Sequence, residues 1–386
     1  MDMSRKTRST VWTRREALGV LGMGAAAAVL SDFVSAAPAF PNGAIIRTIL
    51  KDYAPEELAG GATLFHEHMS FAPDFLPRWI RYATETAAAN GLRPAAGRGG
   101  TPPPAATPPA APAGPFFMQD LDLMSDEMAI AKREGISCIV DGGHPDMGRD
   151  INFLRQLSMK SGMPIVAGAG FYTQPFYPKE ISTMSEEQIL QALIRQVEAD
   201  PVGVFGEIGS WDDMTADERK VFRAIGRAHV ATNLPIFTHT GIPGKAALEQ
   251  LDILEDAGVK PDRIVIGHLG NLVDPNVQVH KAICRRGAFV GFDRQGGPGD
   301  AQQVPLVMKL LEAGFADNLM FSSDFSSANE LKRNNKDLGY AKTFTVFVPK
   351  LKAAGANDAV LRGIMLDNPR RFLAFVPKIK RINKKA

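Results

Sequence analysis

The chain predicts a (β/α)₈ TIM barrel, and three observations carry that prediction. From residue 61 onward short apolar runs alternate with amphipathic stretches, the pattern of βα units wound around a parallel sheet. Eight such runs fall within about 330 residues, the number and length that a closed barrel requires. No Gly-rich phosphate loop opens a first helix, which argues against an open, doubly wound nucleotide-binding sheet.

Taken in order, residues 1–36 read as a twin-arginine signal peptide. Basic Arg5, Lys6 and Arg8 precede Thr13-Arg14-Arg15-Glu16-Ala17-Leu18, a Gly- and Ala-rich apolar stretch runs to Leu30, and Val34-Ser35-Ala36 offers small residues for cleavage before Ala37. That apolar stretch is too short to anchor well, so no stable membrane insertion is expected after cleavage and the expected location is periplasmic or secreted. The barrel runs are Ala62 to His66, Ile136 to Asp141, Pro164 to Gly168, Val202 to Ile208, Pro235 to His239, Arg263 to His268, Ala288 to Asp293 and Leu319 to Asp324. Between them, Ser185 to Ala199 and Ala216 to Thr232 repeat apolar residues at helical spacing behind Ser or Thr caps. The connection from Met69 to about Met118 is far longer than an ordinary βα loop and contains a Pro/Ala/Gly-rich segment, residues 93–115, whose composition builds no core. Following the first strand, it emerges on the face where barrel active sites lie, and Phe75 and Trp79 are its candidates for covering a pocket. A basic tail, residues 377–386, ends the chain.

Composition narrows the partners. Lys and Arg number 44 against 42 for Asp and Glu, and removing residues 1–36 leaves 39 of each. A near-neutral surface without a basic, aromatic-laced stripe excludes nucleic acid as an expected partner. Cys138 and Cys284 are too few and too far apart for a disulfide framework and read as small buried hydrophobes.

The chemistry lies at the ends of the runs. His66-Glu67-His68 sends two imidazoles to one side of a strand end, because alternate strand residues share a face. Glu207, His239, His268 and Asp324 close four later runs, so six costly polar groups converge on one rim. Two cations about 3.5 to 4 Å apart would use all six, with a carboxylate and a hydroxide shared between them. His66, His68 and Asp324 are assigned to the first ion, His239 and His268 to the second, and Glu207 to both. Mixed nitrogen and oxygen ligation fits Zn²⁺ best, with Mn²⁺, Co²⁺ or Fe²⁺ as alternatives.

Thr63-Leu64-Phe65-His66-Glu67-His68, Thr238-His239-Thr240-Gly241, Ile266-Gly267-His268, Ser322-Ser323-Asp324 and the tail Asn368-Pro369-Arg370-Arg371-Phe372-Leu373 together resemble the phosphotriesterase family of the amidohydrolase superfamily. The likeness spans roughly residues 45–376 and implies a barrel whose two-metal centre hydrolyses phosphotriesters, lactones or esters. Two departures stand out. Gly206-Glu207-Ile208-Gly209 supplies a bridging glutamate where many members carry a carbamylated lysine. His268-Leu269-Gly270-Asn271 puts Asn271 where well-studied members have a proton-relaying aspartate. Phe292-Asp293-Arg294 and Gly170-Phe171-Tyr172 resemble the lactonase-like branch, which implies Arg294 near the pocket and Tyr172 beside the metals.

The expected reaction is attack by a metal-bridged hydroxide, with Asp324 accepting its proton. Phe71, Trp79, Phe171, Phe176 and Phe325 point to a small, neutral, partly hydrophobic ester-type substrate rather than a phosphorylated metabolite. His144 is a candidate pocket residue, His229 and His280 are surface or packing residues, Lys245 is solvated, and a homodimer is the candidate assembly. Two rival readings are an exported metal-binding barrel without turnover and a mononuclear, deaminase-like zinc enzyme.

Overall fold

The computed structural model describes residues 38–89, 116–241 and 244–379. The signal peptide, the 93–115 segment and residues 380–386 of the basic tail lie outside the described residues. Ten strands are described: β1 (Ile46–Arg47), β2 (Asp52–Tyr53), β3 (Ala62–Glu67), β4 (Ile136–Asp141), β5 (Ile165–Ala169), β6 (Val202–Ser210), β7 (Ile236–Thr240), β8 (Ile264–Ile266), β9 (Phe289–Phe292) and β10 (Leu319–Phe321). β3 to β10 form one eight-stranded parallel sheet in sequential order, each strand pairing with the next. All eight expected runs contain a strand; the sixth stops at Ile266, short of His268, and the last at Phe321, short of Asp324, where Ser323 and Asp324 turn their N–H groups to Glu67 and His66 of β3.

The sheet closes at that seam. Asp324 N–H donates to the His66 carbonyl at 3.0 Å, and His66 N–H donates to Ser322 Oγ at 3.1 Å. Glu67, whose side chain leaves β3 on the side opposite His66 and His68, accepts four hydrogen bonds across the seam. They come from Ser322 Oγ (2.7 Å), Ser323 N (2.8 Å), Ser323 Oγ (2.7 Å) and Phe325 N (2.8 Å). Burial pushes the Glu67 carboxyl pKa up, and these four donors counter it.

Helices α1 (Phe75–Ala89), α2 (Leu121–Arg133), α3 (Ile151–Ser161), α4 (Glu186–Ala199), α5 (Ala216–Thr232), α6 (Ala246–Asp256), α7 (Gln278–Arg286) and α8 (Asp300–Glu312) follow the barrel strands; α9 (Val348–Ala353), α10 (Asp358–Arg362) and α11 (Asn368–Leu373) end the fold. The Ser and Thr caps do what the sequence predicts: Ser185 with Gln188 and Thr215 with Glu218 form capping boxes that satisfy the first N–H groups of α4 and α5. Helix α1, inside the long first connection, was not foreseen.

Three apolar layers set the site's position. Phe65, Val140, Val166, Val204, Phe237, Val265 and Met320 fill the barrel interior, and Ile46, Leu58, Phe372 and Leu373 plug its amino-terminal end. Leu64, Ile139, Ile236 and Ile266 face the other way, into the layer under the helices. Phe71, Phe75, Met118, Met147, Tyr172 and Phe176 form a third cluster, built partly from the long connection. Gly206 is required in β6 because a Cβ there would lie 2.3 Å from the Phe237 ring that fills the barrel. Among the described residues no helix is long and apolar enough to cross a membrane.

Candidate metal centre

The six residues assigned from the sequence meet at one rim, all buried. They divide by Glu207 oxygen. Oε2 lies 3.4 Å from His66 Nε2 and 3.4 Å from His68 Nε2, and Asp324 Oδ1 joins them at 3.1 Å from His68 Nε2 and 4.0 Å from His66 Nε2. Oε1 lies 2.7 Å from both His239 Nδ1 and His268 Nε2, which are 2.9 Å from each other. Around Oε2 the spacing is close to the edge of about 3.4 Å that a tetrahedral ion with arms of about 2.1 Å requires. Register breaks between Leu64 and Glu67 in β3 and between Phe205 and Ile208 in β6 bracket His66 and Glu207, where an irregular ladder re-aims side chains.

The donor set fits divalent metal. His66 Nε2 is buried and hydrogen bonds to no described group, although Glu207 Oε2 is near. Such an unpartnered imidazole nitrogen, buried beside a carboxylate, suits a cation. His66, His68, Glu207, His239, His268 and Asp324 are the residues that would hold metal.

The imidazoles are oriented by a residue that sequence reasoning passed over. Asp293, at the end of β9, accepts from His66 Nδ1 at 2.8 Å through one oxygen, and from His268 Nδ1 at 2.9 Å and His268 N–H at 3.0 Å through the other. Protons held at both Nδ1 atoms leave both Nε2 lone pairs facing inward. Its signal was present, since an acid inside the apolar run Phe289 to Phe292 plus Asp293 needs buried donors. His268 (φ 61°) and Asp324 (φ 48°) both sit in the left-handed region, a strain that surrounding bonds must hold. Asp293 grips the first, and the Glu67 bonds to Ser323 and Phe325 grip both neighbours of the second.

Electrostatics follow from burial and from these contacts. Burial would lower the His68 pKa, but hydrogen bonds to Asp324 and Glu207 outweigh it and raise His68 to about 9. Burial and the neighbouring His268 drive His239 down to about 4. Burial would raise Glu207, yet the surrounding imidazoles hold it well below the usual carboxylate range, so its carboxylate is ionised.

Tyr172 and Arg294 both reach the centre. Tyr172 Oη lies 2.9 Å from His239 Nδ1, and burial, reinforced by the Glu207 and Asp324 carboxylates, raises the phenol pKa so that it keeps its proton. Arg294 Nε donates to Asp324 Oδ2 at 3.2 Å from a partly exposed position. Phe71 packs 4.4 Å from the His68 ring and Phe176 5.4 Å from Tyr172, so both belong to the rim. Phe171 and Phe325 do not. Phe171 turns towards Tyr177 and Phe325 stacks on Tyr340 at 4.0 Å, both within the layer under the helices.

His144 is buried beneath the site, bonded to Asp146 at 2.5 Å and within 3.2 Å of the Glu207 carbonyl, a supporting position rather than a lining one. His229 and His280 are buried packing residues, and Lys245 is exposed. Cys138 and Cys284 are free and buried.

A parallel barrel with a histidine and carboxylate cluster at the carboxyl ends of its strands defines a metal-dependent hydrolase of the amidohydrolase type. The chain belongs to the phosphotriesterase family, whose model matches residues 53–373. It is 29% identical over 273 residues to the phosphotriesterase homology protein of Escherichia coli (strain K12), covering 66% of this chain and 92% of that protein. It is 26% identical over 276 residues to the N-acetyltaurine hydrolase of Homo sapiens, covering 67% of this chain and 78% of that one. Among solved structures, a resiniferatoxin-binding protein from Rhodobacter sphaeroides superposes with a TM-score of 0.70 at 26% identity, covering 87% of this chain and 97% of that chain. The Escherichia coli phosphotriesterase homology protein, complexed with phosphate in its active site, superposes with a TM-score of 0.66 at 25% identity, covering 82% and 99%.

Proposed function

We propose that this chain is an exported two-metal hydrolase that cleaves a small, neutral, partly hydrophobic phosphotriester, lactone or carboxyl ester. The observation that carries the reading is the division of the other five ligands between the two oxygens of Glu207. Two ions bound there, Zn²⁺ being the best fit, would supply an activated water and polarise the substrate's phosphoryl or carbonyl oxygen.

The chain's own groups do the rest. Asp324 is the most exposed of the six, with its Oδ2 turned to Arg294, so it can accept the water's proton and pass it outward. Arg294 holds that carboxylate in place and presents a charge at the mouth. Tyr172, protonated, can donate to the substrate oxygen that gains charge. The relatives named N-acetyltaurine hydrolase bring N-acyl amides into the range of leaving groups worth assaying.

The test is metal analysis of the purified chain followed by an assay of that sample against aryl phosphotriesters, lactones, carboxyl esters and N-acyl amides. Close to two ions per chain with turnover on this panel supports the reading. One ion per chain supports the mononuclear, deaminase-like alternative, and two ions with no turnover support a metal-binding barrel. The twin-arginine export route and a homodimeric state are part of the proposal, tested by secretion of a tagged chain and by light scattering.

A further inference from the structure

Helix α1 does more than roof the site. Trp79 donates its indole N–H to Tyr172 Oη at 2.9 Å, and that same oxygen lies 2.9 Å from His239 Nδ1. Phe75, one turn earlier, meets the Tyr172 ring at 5.6 Å, and Tyr82, one turn later, meets Trp211 at 4.9 Å. Trp211 in turn stands 6.1 Å from Trp79 and 5.8 Å from the His239 ring. Positions 75, 79 and 82 follow i, i+4, i+7, so a single helical face grips the two aromatic residues that flank His239.

The polarity of this chain of bonds is fixed by chemistry. An indole N–H can only donate, whereas a phenol oxygen has one proton to give and lone pairs to receive. Trp79 therefore occupies a lone pair of Tyr172, and the Tyr172 proton is left to the opposite side, where His239 Nδ1 lies 2.9 Å from the same oxygen.

We infer that Trp79 is a positioning residue, which fixes the Tyr172 hydroxyl so that its proton faces the oxygen of the substrate beside His239. The first connection thereby becomes a working part of the centre. The kinetic consequence rests on the hydrolase reading; the structural link between α1 and Tyr172 does not.

The experiment uses the full chain with indole nitrogen labelled, its Trp79 N–H resonance assigned by loss in Trp79→Phe. That resonance should shift in Tyr172→Phe and again when zinc is added to the wild type, while Tyr177→Phe, which alters a buried hydroxyl elsewhere, leaves it in place. The zinc response should be lost in Tyr172→Phe. On whichever panel substrate turns over fastest, Trp79→Phe should lower kcat by about twofold to about tenfold, the worth of one hydrogen bond. KM and metal content should stay near wild type, and adding Tyr172→Phe should cause little loss beyond that of Tyr172→Phe alone. A Trp79 resonance that ignores both Tyr172→Phe and zinc would overturn the inference, as would kinetic losses that simply multiply. A chain that turns over none of the substrates would defeat the hydrolase reading, and the resonance would still decide whether Trp79 and Tyr172 act together.

Discussion

Replacing Glu67 by glutamine removes one oxygen from a group that serves four donors, and the arrangement of those donors sets the size of the effect. One oxygen accepts Ser322 Oγ and Ser323 N, the other Ser323 Oγ and Phe325 N. Whichever oxygen becomes an amide nitrogen, a serine hydroxyl can rotate to accept from it, but a backbone N–H cannot. One buried N–H is left facing another donor, which costs about 1–3 kcal/mol, and the surviving bonds lose their charge assistance. The expected destabilisation is about 2–4 kcal/mol. Denaturant unfolding of the chelator-stripped protein measures it without the stabilisation that bound metal would add. Since the same bonds hold the residues on either side of Asp324, metal analysis of the variant should also show weakened retention of the ion assigned to His66, His68 and Asp324. A variant within about 0.5 kcal/mol of wild type that keeps its full metal content would refute the idea that Glu67 fastens the seam and the site together.

Other expectations follow from the same contacts. Asp293→Asn presents an amide that cannot accept from both His66 Nδ1 and His268 Nδ1, so metal affinity should fall about 10–100-fold in a competition titration with a chelator. Asp324→Asn should lower kcat by several orders of magnitude, and near-normal turnover with full metal content would remove Asp324 from proton transfer. Because His68 holds its proton up to about pH 9, ion binding near neutrality must displace that proton. His66 is raised well above its ordinary value as well, so apparent affinity should rise by at least about tenfold per pH unit below about pH 9, and a flat profile from pH 6 to 8 would contradict the assignment. Burial pushes both Cys138 and Cys284 up to about 12, so neither should react with a thiol reagent at pH 8 until the protein is unfolded.

The sequence made the barrel readable because period-two and apolar strand runs are local signals, and the ligands readable because each lies at or near the end of such a run. His66 and His68 announce themselves by spacing, and Glu207, His239, His268 and Asp324 by position. Asp293 and Glu67 were visible as acids but not as supports, since their partners lie on other strands and no local pattern states which donors they will meet. Phe171 and Phe325 were misread as rim residues for a related reason. Each adjoins a true site residue, Tyr172 or Asp324, and adjacency in the chain does not carry a side chain to the same place, least of all next to Asp324 with its left-handed backbone. Helix α1 was hidden by the Pro/Ala/Gly-rich composition just beyond it, although Phe75, Trp79 and Tyr82 already recur at helical spacing.

The seam joins chain positions 256 residues apart, Glu67 to Ser323, and the same stretch delivers Asp324 to the histidines of β3. During synthesis, then, the imidazoles that emerge first must wait for nearly the whole chain before their last partner arrives. The centre can mature only once the circle of strands is complete, so a chain cut short before β10 should show an incomplete complement of ligands and an open sheet edge as a single defect.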